Sequence, residues 1–243
     1  MSACTHPPAD TPAAQRTDAE LAALAPVWAE QLEPARATEI MAWAVAEFGS
    51  ELVITSSMAD TVMIRLAEQA RPGIDVVFLD TGYHFVETIG TRDAVMAVHD
   101  VNVINVTPEL SVAAQDAAYG TDLFATNPDA CCGMRKVEPL GRALAPYRAW
   151  ASGVRRADSP RRADTPVVTW EPRRRLIKIS PIARWSDADV AAYIEANSLL
   201  TNPLLEDGYP SIGCAPCTQK AATDDPRSGR WVGLGKTECG IHR

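Results

Sequence analysis

Apolar and polar residues follow two different periods along the chain. Over residues 18–48 apolar side chains recur at steps of three and four, which predicts two helices separated at Pro34, with Thr38 capping the second. Residues 52–54 form a short β-branched run typical of a buried strand, and residues 60–70 return to the helical period. The chain therefore begins with two helices and then enters a strand–helix pattern.

That strand–helix pattern continues through the middle of the chain. Strands are predicted at residues 75–80, 101–106 and 149–153, and helices at residues 84–98, 111–119 and 128–145. Short links between alternating strands and helices favour parallel strands joined by crossover helices. We therefore predict an α/β fold with a doubly wound, mostly parallel sheet and flanking helices. Ligands of such folds bind beyond the carboxyl ends of the strands.

The last part of the chain adds smaller elements. Residues 167–170 and 176–179 predict a small hairpin pair, and Ser186 has the capping pattern of a helix that runs to Asn197. After Asn202 proline and glycine dominate, which is typical of loops.

Three segments are predicted from these patterns. Residues 1–17 are rich in Pro, Ala, Thr and Asp and form a disordered lead-in. Residues 18–223 form a single α/β domain, and residues 224–243 form a mobile C-terminal tail.

Composition agrees with a single domain that has a substantial core. The chain has 243 residues, of which 47% are hydrophobic. No apolar run approaches the roughly 20 residues needed to cross a bilayer, so we expect no membrane partner. The N-terminal residues lack the basic-then-apolar order of a secretory signal, and we therefore expect a cytoplasmic protein with reduced thiols.

The charge is acidic overall but uneven. A net charge of −8 argues against a nucleic-acid partner. Arg155, Arg156, Arg161 and Arg162 nevertheless crowd into one short loop, which indicates a small anionic ligand, since the guanidinium fork matches phosphate-like oxygens. Which of the four would contact that ligand stays open. A similar cluster at residues 173–175 is interpreted as a solvated surface loop.

Clustered cysteines are the strongest chemical signal in the chain. The six are Cys4, Cys131, Cys132, Cys214, Cys217 and Cys239. In a reduced compartment, a pair of cysteine pairs points to zinc or an iron–sulfur cluster rather than to disulfides. Neighbouring residues on a helix point about 100° apart, which suits the separate iron corners of a cluster better than one tetrahedral zinc. Buried, unligated cysteines are the remaining alternative.

Two further features have both a functional and an ordinary interpretation. Cys239 lies near the end of the chain beside Lys236 and His242, so it is either an exposed, nucleophilic thiol or a stray cysteine. Ser56 and Ser57 follow the first strand, where they form either an anion-binding turn or an ordinary helix N-cap.

Lys136 and His84 lie near these features and are weaker candidates for a functional role. Lys136 lies one helical turn beyond Cys132, where a cation can tune a sulfur site or reach a substrate. His84 is interpreted as a polar residue at the start of a helix.

Several motifs together resemble the assimilatory adenylyl-sulfate reductases of the iron–sulfur type, within the PAPS/APS reductase family. The resemblance extends from Thr38 to the end of the chain. Its most specific matches are residues 79–84, Cys131-Cys132 followed by Arg135-Lys136, residues 208–217, residues 229–231 and residues 238–242.

The resemblance implies a fold like that of the adenine nucleotide α-hydrolases, and with it a function. The chain would reduce adenosine 5′-phosphosulfate to sulfite and AMP in sulfate assimilation and cysteine biosynthesis. Cys239 would attack the sulfur and become a Cys S-sulfonate, and thioredoxin or a similar dithiol would release sulfite. A [4Fe–4S] cluster would be held by Cys131, Cys132, Cys214 and Cys217.

Substrate-binding residues follow from the same resemblance. Ser56 would belong to a phosphate loop, and the backbone near Leu79 and Gly153 would border the adenosine. The phosphosulfate pocket would be lined by Lys136, Arg162, Arg227, Arg230 and His242.

Three alternatives remain beside this hypothesis. The 3′-phosphorylated nucleotide is the substrate of close cousins, which commonly lack the cluster cysteines. A tRNA thiolase of the ATP-pyrophosphatase type shares the fold. It would require a Gly-Gly-x-Asp-Ser loop and a basic surface, and this chain has neither. A non-catalytic iron–sulfur sensor would not need Cys239. Whether the protein forms a homo-oligomer stays open.

Overall fold

A six-stranded sheet runs through the molecule in the computed structural model, which describes residues 16–223 and 225–241. Its strands are β1 (Leu52–Thr55), β2 (Ile74–Leu79), β3 (Val101–Val106), β4 (Ala149–Ser152), β5 (Val168–Glu171) and β6 (Leu176–Ile179). The strand order is β3-β2-β1-β4-β6-β5, and only the pairing of β5 with β6 is antiparallel. The predicted α/β class with a mostly parallel sheet is confirmed.

Helices flank this sheet and connect most of its strands. They are α1 (Asp18–Leu32), α2 (Ala37–Phe48), α3 (Val62–Ala70), α4 (Val86–Val98), α5 (Val112–Tyr119), α6 (Leu123–Thr126), α7 (Pro128–Cys132), α8 (Glu138–Leu144) and α9 (Asp187–Asn197). The predicted helices are found within a few residues of their expected ends. Among the described residues, no helix is long and apolar enough to cross a membrane.

The order of the strands creates a crevice at one edge of the sheet. From β1 the chain adds β2 and then β3 on one side, and later returns to place β4 on the other side. Ile54 of β1 is therefore in register with Val76 of β2 and with Ala151 of β4. The loops that follow β1 and β4 leave the sheet in opposite directions, because the order in which strands are added reverses between them. The carboxyl ends of β1 and β4 therefore flank the crevice in which such folds bind ligands.

The predicted hairpin pair is confirmed as β5–β6, and β6 also pairs with β4, so the hairpin extends the main sheet. The prediction that Thr38 caps α2 is wrong, because α2 begins at Ala37. Arg36 has the extended backbone of a cap residue, and its N–H donates to the Glu39 carboxylate at 2.8 Å.

The long helix predicted over residues 128–145 is interrupted by a π turn. Residues Gly133–Val137 form this turn between α7 and α8, and the N–H of Glu138 donates to the carbonyl of Gly133. Pro139 lies just beyond the turn; it has no N–H to donate, and in a regular helix its ring would clash with the carbonyl of Arg135. The π turn relieves this conflict and changes the direction in which Lys136 points.

Apolar side chains form a core on both faces of the sheet. One face carries α1, α2 and α3, where Trp28 and Trp43 are buried with ring centroids 5.3 Å apart in an edge-to-face arrangement. Trp185 packs against the same core. The opposite face is smaller and packs Trp150 against Leu140 of α8.

Both ends of the described chain contact the domain. Thr17 caps α1 in a capping box with Glu20, and the carbonyl of Arg16 accepts from Arg148 at 2.8 Å. These two residues belong to the predicted lead-in, the rest of which lies outside the described residues. At the other end, residues 225–241 lie against the crevice. The mobility expected of this tail stays a prediction.

Substitution of Ile54 tests the importance of the central strand. Ile54→Ala removes a fully buried side chain from β1, and we expect it to lower the free energy of unfolding by about 2–5 kcal/mol. Denaturant unfolding measures this loss. The control Met96→Ala, at an exposed position of α4, should change the stability by no more than about 0.5 kcal/mol. Equal effects of the two substitutions would contradict the assigned core.

Candidate active site

The crevice contains a cavity of about 360 Å³ at the carboxyl ends of β1, β2 and β4. Ser56, Leu79 and Gly153, each expected to border a ligand, line this cavity from those three strand ends. Phosphate-pocket residues expected from the sequence, Lys136, Arg162, Arg227 and Arg230, line it as well. His242 lies outside the described residues. The fold thus brings together residues that are up to 174 positions apart in the sequence, from Ser56 to Arg230.

The loop after β1 is not the beginning of a helix. Ser56 Oγ accepts the N–H of Met58 at 3.1 Å, and Met58 has a positive φ of 58°, a conformation uncommon for a non-glycine residue. Helix α3 begins only at Val62, whose N–H donates to Asp60. The N-cap alternative for Ser56 and Ser57 is therefore wrong, and both side chains face the cavity instead.

His84 has a larger role than the sequence indicated. It precedes α4, lines the cavity, and forms a hydrogen bond between its Nε2 and the carbonyl of Leu79 at 2.8 Å. Its Nδ1 is buried and has no hydrogen-bond partner in the described part of the chain, and its ring packs against Phe78 with centroids 4.9 Å apart. Burial lowers the pKa of His84 below its ordinary 6.5, so the ring is neutral near pH 7. Nothing in the local sequence distinguishes it from a polar residue at a helix start.

All four cysteines expected to bind metal line one small cavity beside the larger one. Cys131 and Cys132 come from α7, while Cys214 and Cys217 come from a turn 82 residues further along, counted from Cys132 to Cys214. All four are buried, and Thr81 Oγ1 lies 3.3 Å from the sulfur of Cys214. The predicted convergence of the two pairs is therefore present.

This thiol cavity suits a soft metal centre shared among several sulfurs. Burial, followed by the charges of the neighbouring cysteines, raises the pKa of Cys131 and of Cys217 to about 11. Thiols in such a setting stay protonated unless a metal compensates their charge. No group of three or more potential ligands within residues 16–223 and 225–241 is arranged to hold a single metal ion. A donor set of four sulfurs around one cavity fits a multi-iron centre, whose irons bind the cysteines separately.

Lys136 lies between the two cavities. The π turn carries it, it is buried, and it lines both the thiol cavity and the larger crevice. Burial alone would lower the pKa of Lys136, but the nearby thiols of Cys214 and Cys239 outweigh burial and raise it. Lys136 is therefore a permanent cation beside sulfur.

Arg230 is the second cation of the crevice and is half-buried. Its Nη1 donates to Ser211 Oγ at 3.2 Å and to the carbonyl of Ile212 at 3.3 Å, while its Nε is buried and has no hydrogen-bond partner among the described residues. Its guanidinium packs over the ring of Trp231, 4.4 Å from the centroid. A Cβ at Gly213 would overlap the guanidinium, so a larger residue there would displace the end of the Arg230 side chain. Neither Arg230 nor Lys136 has a carboxylate partner among the described residues.

The remaining arginines of the crevice do have carboxylate partners. Arg162 donates to Asp158 at 2.9 Å and, through Nη2, to Glu238 at 2.9 Å. Arg227 donates to Glu238 at 3.3 Å. Arg155 forms ion pairs with Asp158 at 2.9 Å and with Asp187 at 2.8 Å.

These contacts narrow the choice left open among the four clustered arginines. Arg155 and Arg162 line the cavity, whereas Arg156 forms a bidentate pair with Glu33 and Arg161 is exposed. In the second cluster, Arg174 packs on Trp150 and Arg175 pairs with Asp18, so these two have structural contacts. Only the fold distinguishes the members of each cluster, because their local sequences are alike.

Cys239 reaches the crevice from the tail. Its side chain is half-buried, lines the cavity, and packs against Cys214, Cys217 and Trp231. Trp231 is buried and has a positive φ of 50°, which for a bulky residue is unfavourable and is held in place by its surroundings. The crevice therefore combines a free thiol with two sheltered cations that have no carboxylate partner within the described part of the chain, an arrangement suited to nucleophilic attack on an anionic ligand.

Comparison with known proteins places this site in a family context. Residues 51–220 match the family model of the phosphoadenosine phosphosulfate reductase domain. The adenosine 5′-phosphosulfate reductase of Streptomyces coelicolor is 58% identical over 229 residues, covering 94% of this chain and 97% of that protein. A protein of the same name from Mycolicibacterium smegmatis is 55% identical, covering 93% of this chain and 96% of its own.

Solved structures agree with these sequence matches. The phosphoadenylyl-sulfate (PAPS) reductase from Candida auris, in a phosphate complex, is similar with a TM-score of 0.69 and 29% identity, covering 80% of this chain and 95% of that one. The FMN adenylyltransferase of Candida glabrata, in complex with FMN and an ATP analogue, has a TM-score of 0.54 and 11% identity, covering 84% and 75% of the two chains. The second likeness concerns the fold alone.

Gly213 offers a test of the cationic site. Gly213→Ala should displace the Arg230 guanidinium and weaken the binding of pyrophosphate, a small anion, by about tenfold, the effect of losing one charged hydrogen bond. Calorimetric titration measures the dissociation constant. The control Gly90→Ala places a Cβ in open space on α4 and should leave binding unchanged. Undiminished binding by the Gly213 variant would argue against an anion site at Arg230.

His84 should make the folded protein more sensitive to acid. Because its folded pKa is lowered, stability is fully present above the ordinary pKa of 6.5 and is lost as the pH falls through 6.5 toward the folded value. His84→Asn removes this loss. Denaturant unfolding of both proteins from about pH 8 to about pH 5 should therefore show a steeper fall for the native chain. Parallel curves would contradict a neutral, buried His84.

Proposed function

The chain belongs to the phosphoadenosine phosphosulfate reductase domain family, and from this membership we propose that it reduces adenosine 5′-phosphosulfate to sulfite and AMP. Relatives that match over more than nine-tenths of both chains are named adenosine 5′-phosphosulfate reductases. The observation that carries the proposal is the half-buried thiol of Cys239, which shares one cavity with Lys136 and Arg230.

Cys239 is the nucleophile in the proposed first step. Its thiolate attacks the sulfur of the phosphosulfate, a bond from the cysteine sulfur to that sulfur forms, and the bond to the bridging oxygen breaks. AMP leaves with the electron pair, and the enzyme retains a Cys S-sulfonate. Lys136 and Arg230 stabilise the negative charge that grows on the leaving phosphate, because they are already oriented and shielded from water.

A dithiol reductant such as thioredoxin completes the proposed reaction. One of its thiolates attacks the sulfur of Cys239, and sulfite leaves with the electron pair of the broken sulfur–sulfur bond. The second thiol then resolves the mixed disulfide, which returns Cys239 to a thiol and leaves the reductant oxidised by two electrons. The proposal requires the tail to expose Cys239 to this partner.

Substrate positioning is assigned to the strand ends. Ser56 is proposed to bind phosphate, while the backbone near Leu79 and Gly153 borders the adenosine. Arg162 and Arg227 contribute positive charge at the rim. His242 is proposed to join the phosphosulfate pocket.

A [4Fe–4S] cluster on Cys131, Cys132, Cys214 and Cys217 is part of the proposal. Four buried thiols around one cavity, with Lys136 beside them, support this assignment. When bound, the cluster supplies a compact group of negative charge that compensates Lys136 electrostatically. Both electrons needed for sulfite formation come from the dithiol, so no redox change is assigned to the cluster.

The 3′-phosphorylated nucleotide is the second candidate substrate. The structural relative from Candida auris is named a phosphoadenylyl-sulfate reductase, whereas the more similar sequence relatives carry the name of the unphosphorylated substrate. A thiolase acting on tRNA is not favoured by these relatives. A cytoplasmic location remains part of the proposal.

Trapping the intermediate tests the proposed chemistry. Native protein incubated with adenosine 5′-phosphosulfate, without reductant, should gain one SO₃ group on the peptide that contains Cys239 and release one equivalent of AMP. Peptide mass analysis locates the group. Cys239→Ser should abolish both the mass gain and sulfite production.

The same experiment distinguishes the alternatives. Modification only by the 3′-phosphorylated nucleotide would select the second substrate. A native protein that releases no AMP and gains no SO₃ group from either nucleotide would overturn the proposed function.

Iron analysis tests the cluster separately from the reaction. Protein purified without oxygen should contain iron and sulfide and show charge-transfer absorption in the visible range, and Cys214→Ser should lose most of it. Cys239→Ser serves as the matched control and should retain the iron, because Cys239 is not assigned to the cluster. Loss of iron in both variants, or in neither, would contradict the assigned division of the cysteines.

A further inference from the structure

The tail that carries Cys239 has few bonds to hold it in the crevice. Within the described part of the chain, no backbone–backbone hydrogen bond involves residues 235–241. Side chains make the polar contacts instead. Lys236 contacts Asp129, and Arg227 donates to the carbonyl of Thr237 at 3.0 Å. The position of Cys239 therefore depends on a small number of side-chain contacts.

Glu238 makes the largest set of these contacts. Its carboxylate accepts from Arg162 Nε at 3.1 Å and Nη2 at 2.9 Å, from Arg227 at 3.3 Å and from Ser159 Oγ at 3.4 Å. The pair is sheltered, with the side chain of Glu238 13% exposed and that of Arg162 15% exposed. A two-fold contact with one guanidinium is directional as well as attractive, so it fixes where the carboxylate lies.

The charges around Glu238 are already balanced. Arg155, Arg162 and Arg227 supply three positive charges, and Asp158, Asp187 and Glu238 supply three negative charges. Lys136 and Arg230, which have no carboxylate partner among the described residues, lie elsewhere in the same cavity. A bound anion can therefore be met by those two cations while the pair of Glu238 with Arg162 stays intact.

We propose that Glu238 is a positioning residue, whose ion pair with Arg162 holds the adjacent Cys239 over the substrate cavity. Consecutive Cα atoms are about 3.8 Å apart, so fixing one residue restricts the reach of the next. The positional part of this inference stands on the contacts alone. Its kinetic consequence rests on the proposed function.

The opposite role for this contact makes a different prediction. Glu238 would then be a carboxylate that occupies the arginines in place of an anionic ligand, and substrate would have to displace it. The geometry argues for positioning, because displacing Glu238 would release the tail from the site where its thiol must react. Under the opposite role, removal of the carboxylate would strengthen nucleotide binding.

Alkylation of Cys239 tests the position of the tail without any catalysis. Glu238→Gln keeps the size of the side chain and removes its charge, and Glu238→Asp keeps the charge on a shorter side chain. Without nucleotide, we expect the Cys239 peptide of the Gln variant to react with iodoacetamide about tenfold faster, the effect of losing one charged hydrogen bond. Peptide mass analysis resolves this cysteine from the others. Glu238→Asp should lie between the Gln variant and the native chain.

Single-turnover kinetics then separates positioning from binding. At saturating adenosine 5′-phosphosulfate, the rate constant for S-sulfonate formation should fall about tenfold in Glu238→Gln and recover in part in Glu238→Asp. The dissociation constant of AMP should stay within about twofold of the native value, because Lys136 and Arg230 are unchanged. The control Glu39→Gln removes the carboxylate of an exposed pair with Arg36 and should behave as the native chain in every measurement.

Each outcome decides the proposal. Unchanged alkylation and S-sulfonation in Glu238→Gln would overturn it, and so would tighter AMP binding with faster S-sulfonation. Circular dichroism, together with the Asp variant, separates a local effect from misfolding. A native chain that forms no S-sulfonate would defeat the proposed function, whereas the alkylation measurement would still report on the tail.

Discussion

Buried positive charge is the constraint on which the site depends. Lys136 is buried and Arg230 is half-buried, and neither has a carboxylate partner among the described residues, which is costly unless other groups meet their charge. The groups at hand are sulfurs: Cys132, Cys214 and Cys239 surround Lys136. The surrounding structure shows this constraint directly, since a π turn aims Lys136 and a glycine at position 213 admits the Arg230 guanidinium. A dianionic substrate would satisfy both cations at once.

The crevice divides its positive charge into two sets with different tasks. Arg155 and Arg162 are matched by carboxylates that belong to the loops around the cavity and to the tail. These pairs organise the rim, whereas Lys136 and Arg230 keep their charge for a ligand. All of these cations lie close to the cavity, so their distance from it does not distinguish their roles. Their carboxylate partners are what separate a positioning role from a binding role.

Much of the fold could be predicted because it depends on local pattern. The β-branched runs at residues 52–54 and 75–80 are buried strands, since such runs satisfy burial on both faces of a parallel sheet. The run at residues 101–106 is also a strand, but it lies at the edge of the sheet and only Val106 is buried. The β5–β6 hairpin was predicted, but its place in the main sheet was not, because the pairing of β6 with β4 joins segments that are separated in the chain. The π turn ahead of Pro139 was missed because the helical period continues across it.

For the site, the sequence by itself determined the reactive groups: four paired cysteines, one cysteine in the tail, and an anion-binding excess of arginine in an acidic chain. Residue chemistry and spacing are local properties, so they can be read without a fold. Only the tertiary structure decided which arginines reach the cavity, that His84 is half-buried and neutral, and that Glu238 pairs with Arg162 across 76 positions. Burial and charge pairing arise between segments that are distant in the chain, and no local pattern records them.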